Sequence, residues 1–340
     1  MLSAELKLQI EEATTRLKNG EVVGFPTETV YGLAARIDSE AGIKRIFSTK
    51  ERPFFDPLIV HVASIEQAKS CTSEWNEMAE LLATNFWPGP LTLVLPKSKN
   101  ISDLITSGLP TVGLRWPAHP VAQELIKAVG VPLAAPSANK FGRTSPTKAQ
   151  HVREEFGQAV QVIDAGASEI GIESTVISIK FLNDQYQLAL LRKGAVLQTK
   201  MNEVLFKTRL RFQWVEAIDK KESPGHMQHH YMPSMPFIVC RNPHLKLSEL
   251  STILNTRLAE LPDLIDGVKI IKPTQAIKKI EFLKLSNDPA QAAREVYSQL
   301  RAASLRKPEA LCFIQMPQHK GEMWESIFDR LYKAASLIVD

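Results

Sequence analysis

The sequence predicts an α/β protein of two domains, the larger one built on a mixed sheet. Three observations carry that reading. The chain has 340 residues, and at roughly 100–200 residues per domain two cores are expected. Short β-branched runs alternate with stretches whose apolar residues recur every three or four positions, the pattern of strands interleaved with amphipathic helices. The rhythm breaks between Lys220 and Pro236, where Pro224, Gly225, Pro233 and Pro236 gather with three histidines, and a second α/β pattern follows.

In chain order, Leu6, Ile10, Ala13 and Leu17 recur at helical spacing behind Ser3 as cap, and Asn19-Gly20 ends that helix. EVVGF, Glu21 to Phe25, reads as a buried strand stopped by Pro26. Ile43, Ile46 and Phe47 mark a helix, Leu58 to Val62 a strand, Trp75 to Phe86 a helix, and Leu91 to Leu95 a strand. Val112 to Arg115 is expected as a strand, Val121 to Val129 as a helix. Further strands are expected near Val131 to Ala134, Val160 to Ile163, Thr175 to Ile179 and Leu188 to Arg192. Beyond the break, PFIVC, GVKIIKP and EALCFIQ read as short buried strands. Helical patterns run over Leu247 to Leu258, Ala290 to Leu305 and Met323 to Leu337, giving a smaller three-layer domain.

Composition narrows the function classes. Lys plus Arg exceeds Asp plus Glu by 41 − 37 = +4, mild for a dedicated nucleic-acid binder. Cys71, Cys240 and Cys312 stand far apart with no CxxC pair, which offers neither a zinc motif nor a disulfide framework and suits a reducing compartment. No segment approaches the ~18 uninterrupted apolar residues of a membrane span. There is no GxxxxGK[ST], no GxGxxG between strand and helix, no HExxH and no GxSxG.

The polar residues that remain sit where strands end. In PTETVYGL, Thr27, Glu28 and Thr29 stand between a strand and an expected helix start; they suit either an anion or an ordinary cap. Lys50 and Arg52, with Asp56 in the same loop, suit a polyphosphate or simply complement a helix dipole. His61 lies inside LIVHV, as a core histidine or a catalytic one. Arg115 ends the strand TVGLR, placed for a two-point carboxylate clamp or a structural ion pair. APSAN, Ala135 to Asn139, and Ser145 offer small side chains and donors for phosphate, or a serine-rich turn. GIEST and Arg192 of LLRKG complete the set.

In order, these segments closely resemble the threonylcarbamoyl-AMP synthase family, also called the YrdC-domain family, in its long two-domain form. The resemblance runs through PTETVYGL, Lys50-x-Arg52, DPLIVH, WPGPLTLVL, the Arg115 strand, Ser137-x-Asn139 and GIESTV. It implies a YrdC-like twisted mixed sheet with helices over 1–207, a linker or lid loop over 208–235, and a smaller Rossmann-like α/β domain over 236–340. It also implies a cytoplasmic nucleotidyltransferase that joins L-threonine, bicarbonate and ATP, with Mg2+ accompanying the ATP, for threonylcarbamoylation of tRNA. By carry-over, Thr29, His61, Arg115, Ala135 and Thr175 face threonine. Lys50, Arg52, Asp56, Thr111, Ser137, Asn139, Ser145, Arg192 and Tyr231 face ATP, and Lys50, Arg52 and His61 are the residues closest to the chemistry. A downstream tRNA threonylcarbamoyl transferase complex is the implied partner, with RNA contact left open and no membrane.

Two departures from the family stand out. Met227, Gln228 and His229 replace basic and aromatic residues in SPGHMQHHYMP, and Lys193 stands where proline is common. The linker is expected to close over bound ligand, bringing Tyr231 to the ATP. Competing readings are an RNA-binding module without catalysis, a carbamoyl transferase (which needs cysteine pairs this chain lacks), and a metal site at His226, His229 and His230.

Overall fold

Strand alternation decides the architecture, because a period of two sends every second side chain to the same face of a sheet. The computed structural model describes residues 2–216, 229–265, 268–273 and 276–340. The chain forms two units, Met1–Lys140 with Pro146–His226 and Phe141–Ser145 with Met227–Asp340.

The first unit runs α1 (Ala4–Lys18), β1 (Val23–Phe25), β2 (Gly32–Arg36), α2 (Glu40–Lys50), β3 (Ile59–His61) and α3 (Ile65–Cys71). It continues with α4 (Glu77–Phe86), β4 (Leu91–Pro96), α5 (Asp103–Thr106), β5 (Thr111–Arg115), α6 (Pro120–Val129) and β6 (Leu133–Ala134). α7 (Ala149–Phe156), β7 (Gln161–Val162), β8 (Thr175–Leu182), β9 (Gln185–Arg192), α8 (Gln198–Leu205) and β10 (Phe212–Val215) complete it. The strands form one mixed sheet in the order β10-β9-β8-β4-β5-β3-β6-β2-β1-β7. Alternate residues Val60 and Val62, Leu91, Leu93 and Leu95, Val112 and Leu114, Ile177 and Ile179 share one face and build a core with Ile43, Ile46 and Phe47 of α2 and Met78, Ala79 and Leu82 of α4. Each such fully buried side chain contributes about 1.5–3 kcal/mol. Ile10, Ala13 and Leu17 of α1 instead pack with Leu125 and Ile126 of α6 over Val23 and Phe25.

The second unit contains β11 (Phe237–Cys240), α9 (Leu247–Glu260), β12 (Leu264–Ile265), β13 (Val268–Lys269), β14 (Ile280–Phe282) and α10 (Pro289–Arg306), followed by β15 (Ala310–Ile314), α11 (Glu322–Ala334) and β16 (Leu337–Val339). Its parallel sheet has the order β14-β15-β11-β16. All the pairings are parallel, and β11, β15 and β16 read as uninterrupted apolar runs because helices cover both faces; the edge strand β14 carries Glu281.

Several elements depart from the sequence reading. The segment after Thr29 starts no helix: Gly32–Arg36 is β2, antiparallel to β1, so PTET is the connection of a sheet hairpin. Among the described residues, GVKIIKP contributes no strand to the parallel sheet and Val268–Lys269 pairs only with Leu264–Ile265, while Val268 and Ile270 are buried with Met232. The helical pattern taken to Leu337 stops at Ala334, where the Ser336 N–H donates to Phe237 O at 2.7 Å and peels the chain onto the sheet as β16. Phe212–Val215, placed in the linker by its sequence, is edge strand β10, parallel to β9.

Candidate functional site

On the sheet face opposite the main core of the first unit, α1 and α6 cover Val23, Phe25 and Leu133, and beside them stands a group of polar residues that register brings together. His61 pairs with Arg115 and Ile59 with Gly113, Thr92 with Val176, and Val176 with Arg192. With a period of two, His61, Thr111, Gly113, Arg115, Thr92 and Arg192 therefore fall on one face. Gly113 has no side chain, and a narrow cleft lies over it, lined by Pro57, Thr92, Thr106, Thr111 and Val176. Thr111 sits at the start of β5, about 13 Å of extended chain from Arg115, so the structure does not gather it with the arginine.

Arg115 and His61 are both buried. The Arg115 guanidinium reaches back to the hairpin connection, where Nη2 lies 2.8 Å from Glu28 Oε1, and its Nε donates to Gly89 O at 3.4 Å. Burial, reinforced by the Arg115 charge, pushes the His61 imidazole down to about 3, so it stays neutral. Its Nδ1 makes no hydrogen bond, and its ring meets Phe25 edge-on at 5.9 Å. Thr29 is held beside Glu28 by an ST turn: Thr27 Oγ1 accepts from the Thr29 and Val30 N–H groups and lies 2.9 Å from Thr29 Oγ1. The Ile170 and Gly171 N–H groups cap the same turn at Glu28 O and Thr29 O. The Ala135 N–H donates to Ile59 O at 2.9 Å, which places Ala135 beside the His61 strand.

Lys50 and Arg52 are not solvent-facing dipole partners. Glu51 caps α2 in the left-handed conformation (φ 52°) and turns both side chains inward, leaving Lys50 1% and Arg52 7% exposed. The Lys50 ammonium donates to Ser137 O at 2.5 Å and to Asn139 O. Burial and the Arg52 charge hold its pKa well below the usual lysine range, against a weaker pull from Asp56. Arg52 Nη2 lies 2.9 Å from Asp56 Oδ2 and donates to Asp56 O and Pro57 O. Helix end and APSAN loop are thus one unit, with two cations facing main-chain carbonyls.

The third group is built on β8 and β9. Arg192 donates from Nε to Ser174 O and from Nη2 to Ser174 Oγ, both at 3.0 Å, and Ser174 Oγ lies 2.8 Å from Thr92 Oγ1. The neighbouring Thr175 uses its hydroxyl locally, donating to Val196 O at 2.7 Å and accepting from Val196 N at 3.0 Å. Gly194 makes that clasp possible, since a Cβ there would stand 2.4 Å from Thr175 N.

Ser145 and Tyr231 lie in the second unit. The segment carrying Ser145 is stitched to the segment carrying Tyr231: Thr144 Oγ1 donates to Tyr231 O at 3.0 Å and Met232 N to Gly142 O at 2.8 Å. Arg301 holds the carbonyls of Thr144 and Ser145. The Tyr231 ring packs between His230 and Tyr297. Pro224, Gly225, His226, Met227 and Gln228, on which the lid and metal readings rest, lie outside the described residues. Among the described residues, no three His, Cys, Asp or Glu side chains converge as metal ligands, and no helix is long and apolar enough to cross a membrane.

Glu28, Thr92 and Ser174 are the site residues that sequence reasoning left out of its sets. The signal for Glu28 was its place between the two candidate threonines; Thr92 became visible only through strand register, and Ser174 through its hydroxyl contacts with Thr92 and Arg192.

A twisted mixed sheet with buried Lys and Arg at its strand ends and helix ends, in a sequence without a P-loop motif, defines the first unit as an α/β domain. The chain belongs to the Sua5/YciO/YrdC family: that family's profile, described as telomere recombination, matches residues 15–194. A second profile, described as threonylcarbamoyl-AMP synthase, C-terminal domain, matches residues 196–336. The chain is 41% identical over 332 residues to the threonylcarbamoyl-AMP synthase of Bacillus subtilis, covering 96% of this chain and 93% of that protein. It is 39% identical over 300 residues to the one from Pyrococcus abyssi, covering 87% and 85%. The crystal structure of P. abyssi Sua5 complexed with L-threonine superposes with a TM-score of 0.80 at 35% identity, covering 100% of this chain and 98% of that one.

Proposed function

We propose that the chain is a threonylcarbamoyl-AMP synthase, which joins L-threonine, bicarbonate and ATP and releases pyrophosphate, so that tRNA can be threonylcarbamoylated. The observation that carries this reading is the placement of two separate buried cation groups in one domain. Arg115 stands on the sheet face beside His61 and Thr29, suited to a small carboxylate; Lys50 and Arg52 stand at the end of α2 beside Ser137 and Asn139, suited to a triphosphate.

The chemistry asks for positioning and charge neutralisation. Threonine, bound as its ammonium form, gives up a proton to water, the free amine attacks the carbon of bicarbonate-derived carbon dioxide and loses a second proton as the carbamate forms; a carbamate oxygen then attacks the α-phosphorus, and pyrophosphate leaves. The AMP group moves to the carbamate, which makes the enzyme a nucleotidyltransferase without a protein nucleophile. In this reading Thr29, His61, Arg115, Ala135 and Thr175 surround threonine, while Lys50, Arg52, Asp56, Thr111, Ser137, Asn139, Ser145, Arg192 and Tyr231 serve ATP. His61, neutral and weakly basic at about 3, orients rather than abstracts a proton. Mg2+ would enter as part of the MgATP substrate, and Asp56, already engaged by Arg52, would meet it through water. A reducing cytoplasm and a downstream tRNA threonylcarbamoyl transferase complex fit the three free cysteines and the reactive product.

The test is pyrophosphate release from purified protein with ATP, bicarbonate and each amino acid in turn. Release is expected with threonine and not with glycine; serine, lacking the methyl group, should serve far less well. Equal release with all three would overturn the assignment.

A further inference from the structure

Glu28 is a buried carboxylate whose charge is only half answered. Its side chain is 5% exposed, and one oxygen, Oε1, lies 2.8 Å from Arg115 Nη2. That contact is ionic and lies off the hydrogen-bond axis, so neither Oε1 nor Oε2 is engaged in a hydrogen bond. A buried carboxylate oxygen left in this condition is costly unless something fills the place of water. His119 feels the Glu28 charge, but burial holds its pKa below the usual histidine range and its Nδ1 accepts the Val121 N–H. Arg115 is held similarly lightly, by Glu28 on one side and the long Nε contact to Gly89 O.

We infer that Glu28 receives the α-ammonium group of the amino-acid substrate, so that Glu28 and Arg115 together read a zwitterion. The inference rests on the threonine reading above and deepens it. An α-amino acid carries its ammonium and carboxylate on neighbouring carbons, and Glu28 and Arg115 present the complementary charges side by side. Bound together, the four groups alternate in sign, so each charge has an opposite neighbour and none is buried alone. A lone arginine would attract any small carboxylate. The neutral Glu28–Arg115 pair has no net attraction for a simple anion, and a ligand without an ammonium leaves Glu28 as orphaned as it found it. The hairpin connection fixes the geometry, because the Thr27 turn and the Ile170 N–H at Glu28 O hold the backbone of this residue in place.

The experiment is calorimetric titration of the full chain with L-threonine and with (R)-3-hydroxybutanoate, which keeps the carboxylate, hydroxyl and methyl but lacks the amine. The unaltered protein should prefer threonine by at least about tenfold, the size expected for a desolvated charge contact. In Glu28→Gln that preference should collapse towards one, through weaker threonine binding and unchanged binding of the hydroxy acid. Glu28→Asp, which keeps the charge, should retain part of it and guards against misfolding of the glutamine variant. Equal affinity of the unaltered protein for both ligands would overturn the inference, and so would a parallel fall for both in Glu28→Gln, since Glu28 would then act only by holding Arg115. Failure of the unaltered protein to bind threonine at all would instead overturn the function proposed above.

Discussion

The Lys50 ammonium donates to the carbonyl of Ser137 at 2.5 Å, so a single side chain ties the end of α2 to the loop that follows β6. Two carbonyl partners carry only partial charge, which is why burial and Arg52 dominate and hold the lysine well below its usual range. For a lysine whose folded pKa is depressed, stability is fully present above the unfolded pKa and is lost as pH falls towards the folded one.

A bound triphosphate reverses that balance by supplying negative charge. At a pH above the depressed Lys50 pKa, ATP binding is therefore expected to take up protons, read as a dependence of the binding heat on the ionisation enthalpy of the buffer. In Lys50→Met the uptake should vanish and ATP affinity fall by about tenfold or more, while folding stability changes by about 1 kcal/mol or less, because relief of desolvation offsets two lost hydrogen bonds. Unaltered proton uptake in the variant would assign it to another group.

His61 makes a second pH prediction. Its pKa is near 3 in the folded chain against about 6.5 unfolded, so the unfolded state binds the extra proton between those values. Stability is full above about 6.5 and declines as pH falls towards 3, by up to ~1.4 kcal/mol per unit from this one residue. Urea midpoints measured at pH 7, 6 and 5 should fall less steeply in His61→Gln than in the unaltered protein. Parallel slopes would show that the imidazole takes up its proton as readily in the fold as in the unfolded chain.

Asp56 and Glu40 offer a contrast between buried and exposed ion pairs. Asp56 is fully buried against Arg52 at 2.9 Å, whereas Glu40 and Lys44 meet at 2.6 Å on the solvent side of α2, 69% and 58% exposed. Asp56→Ala leaves a buried guanidinium without its counter-charge and should cost about 3–5 kcal/mol in urea unfolding. Glu40→Ala should leave the transition where it was. Equal effects would mean that Arg52 is satisfied without the Asp56 carboxylate.

What could be read from the sequence was local, and what could not was pairing. α1, α2, α4 and α6 announced themselves by their apolar period, α1 also by its cap, Ser3, whose hydroxyl accepts the Leu6 N–H. β2 did not, because GLAAR has neither β-branching nor alternation, and its strand character comes from β1 on one side and β6 on the other. β14 and β16 are three residues each, too short for a period to show. The same division holds at the site. His61, Arg115 and Lys50 stood out by residue type, but Thr92 needed the β4–β8 register and Ser174 its hydroxyl contacts with Thr92 and Arg192. Glu28 was visible in PTET, yet its contact with a residue 87 positions away is a tertiary fact.

Arg115 is where the division of labour between the two cation groups is most exposed to test. Arg115→Ala should weaken threonine binding by roughly 2–5 kcal/mol, the cost of stranding one partner of a desolvated charge pair, and leave ATP affinity near its original value. Lys50→Ala should do the reverse. Because Glu28 loses its counter-charge as well, Arg115→Ala should also lower folding stability, and the double variant Glu28→Gln/Arg115→Ala should recover part of that loss; two groups in direct contact are not expected to add. Arg115→Lys separates charge from shape. It keeps a cation near Glu28, so stability should be largely retained, but an ammonium on a flexible stem cannot offer the planar fork, and threonine affinity should still fall. Titrations of each variant with threonine and with ATP decide the matter: equal losses for both ligands in the arginine and lysine variants would merge the two cation groups into one site and remove the basis for assigning Arg115 to the amino acid.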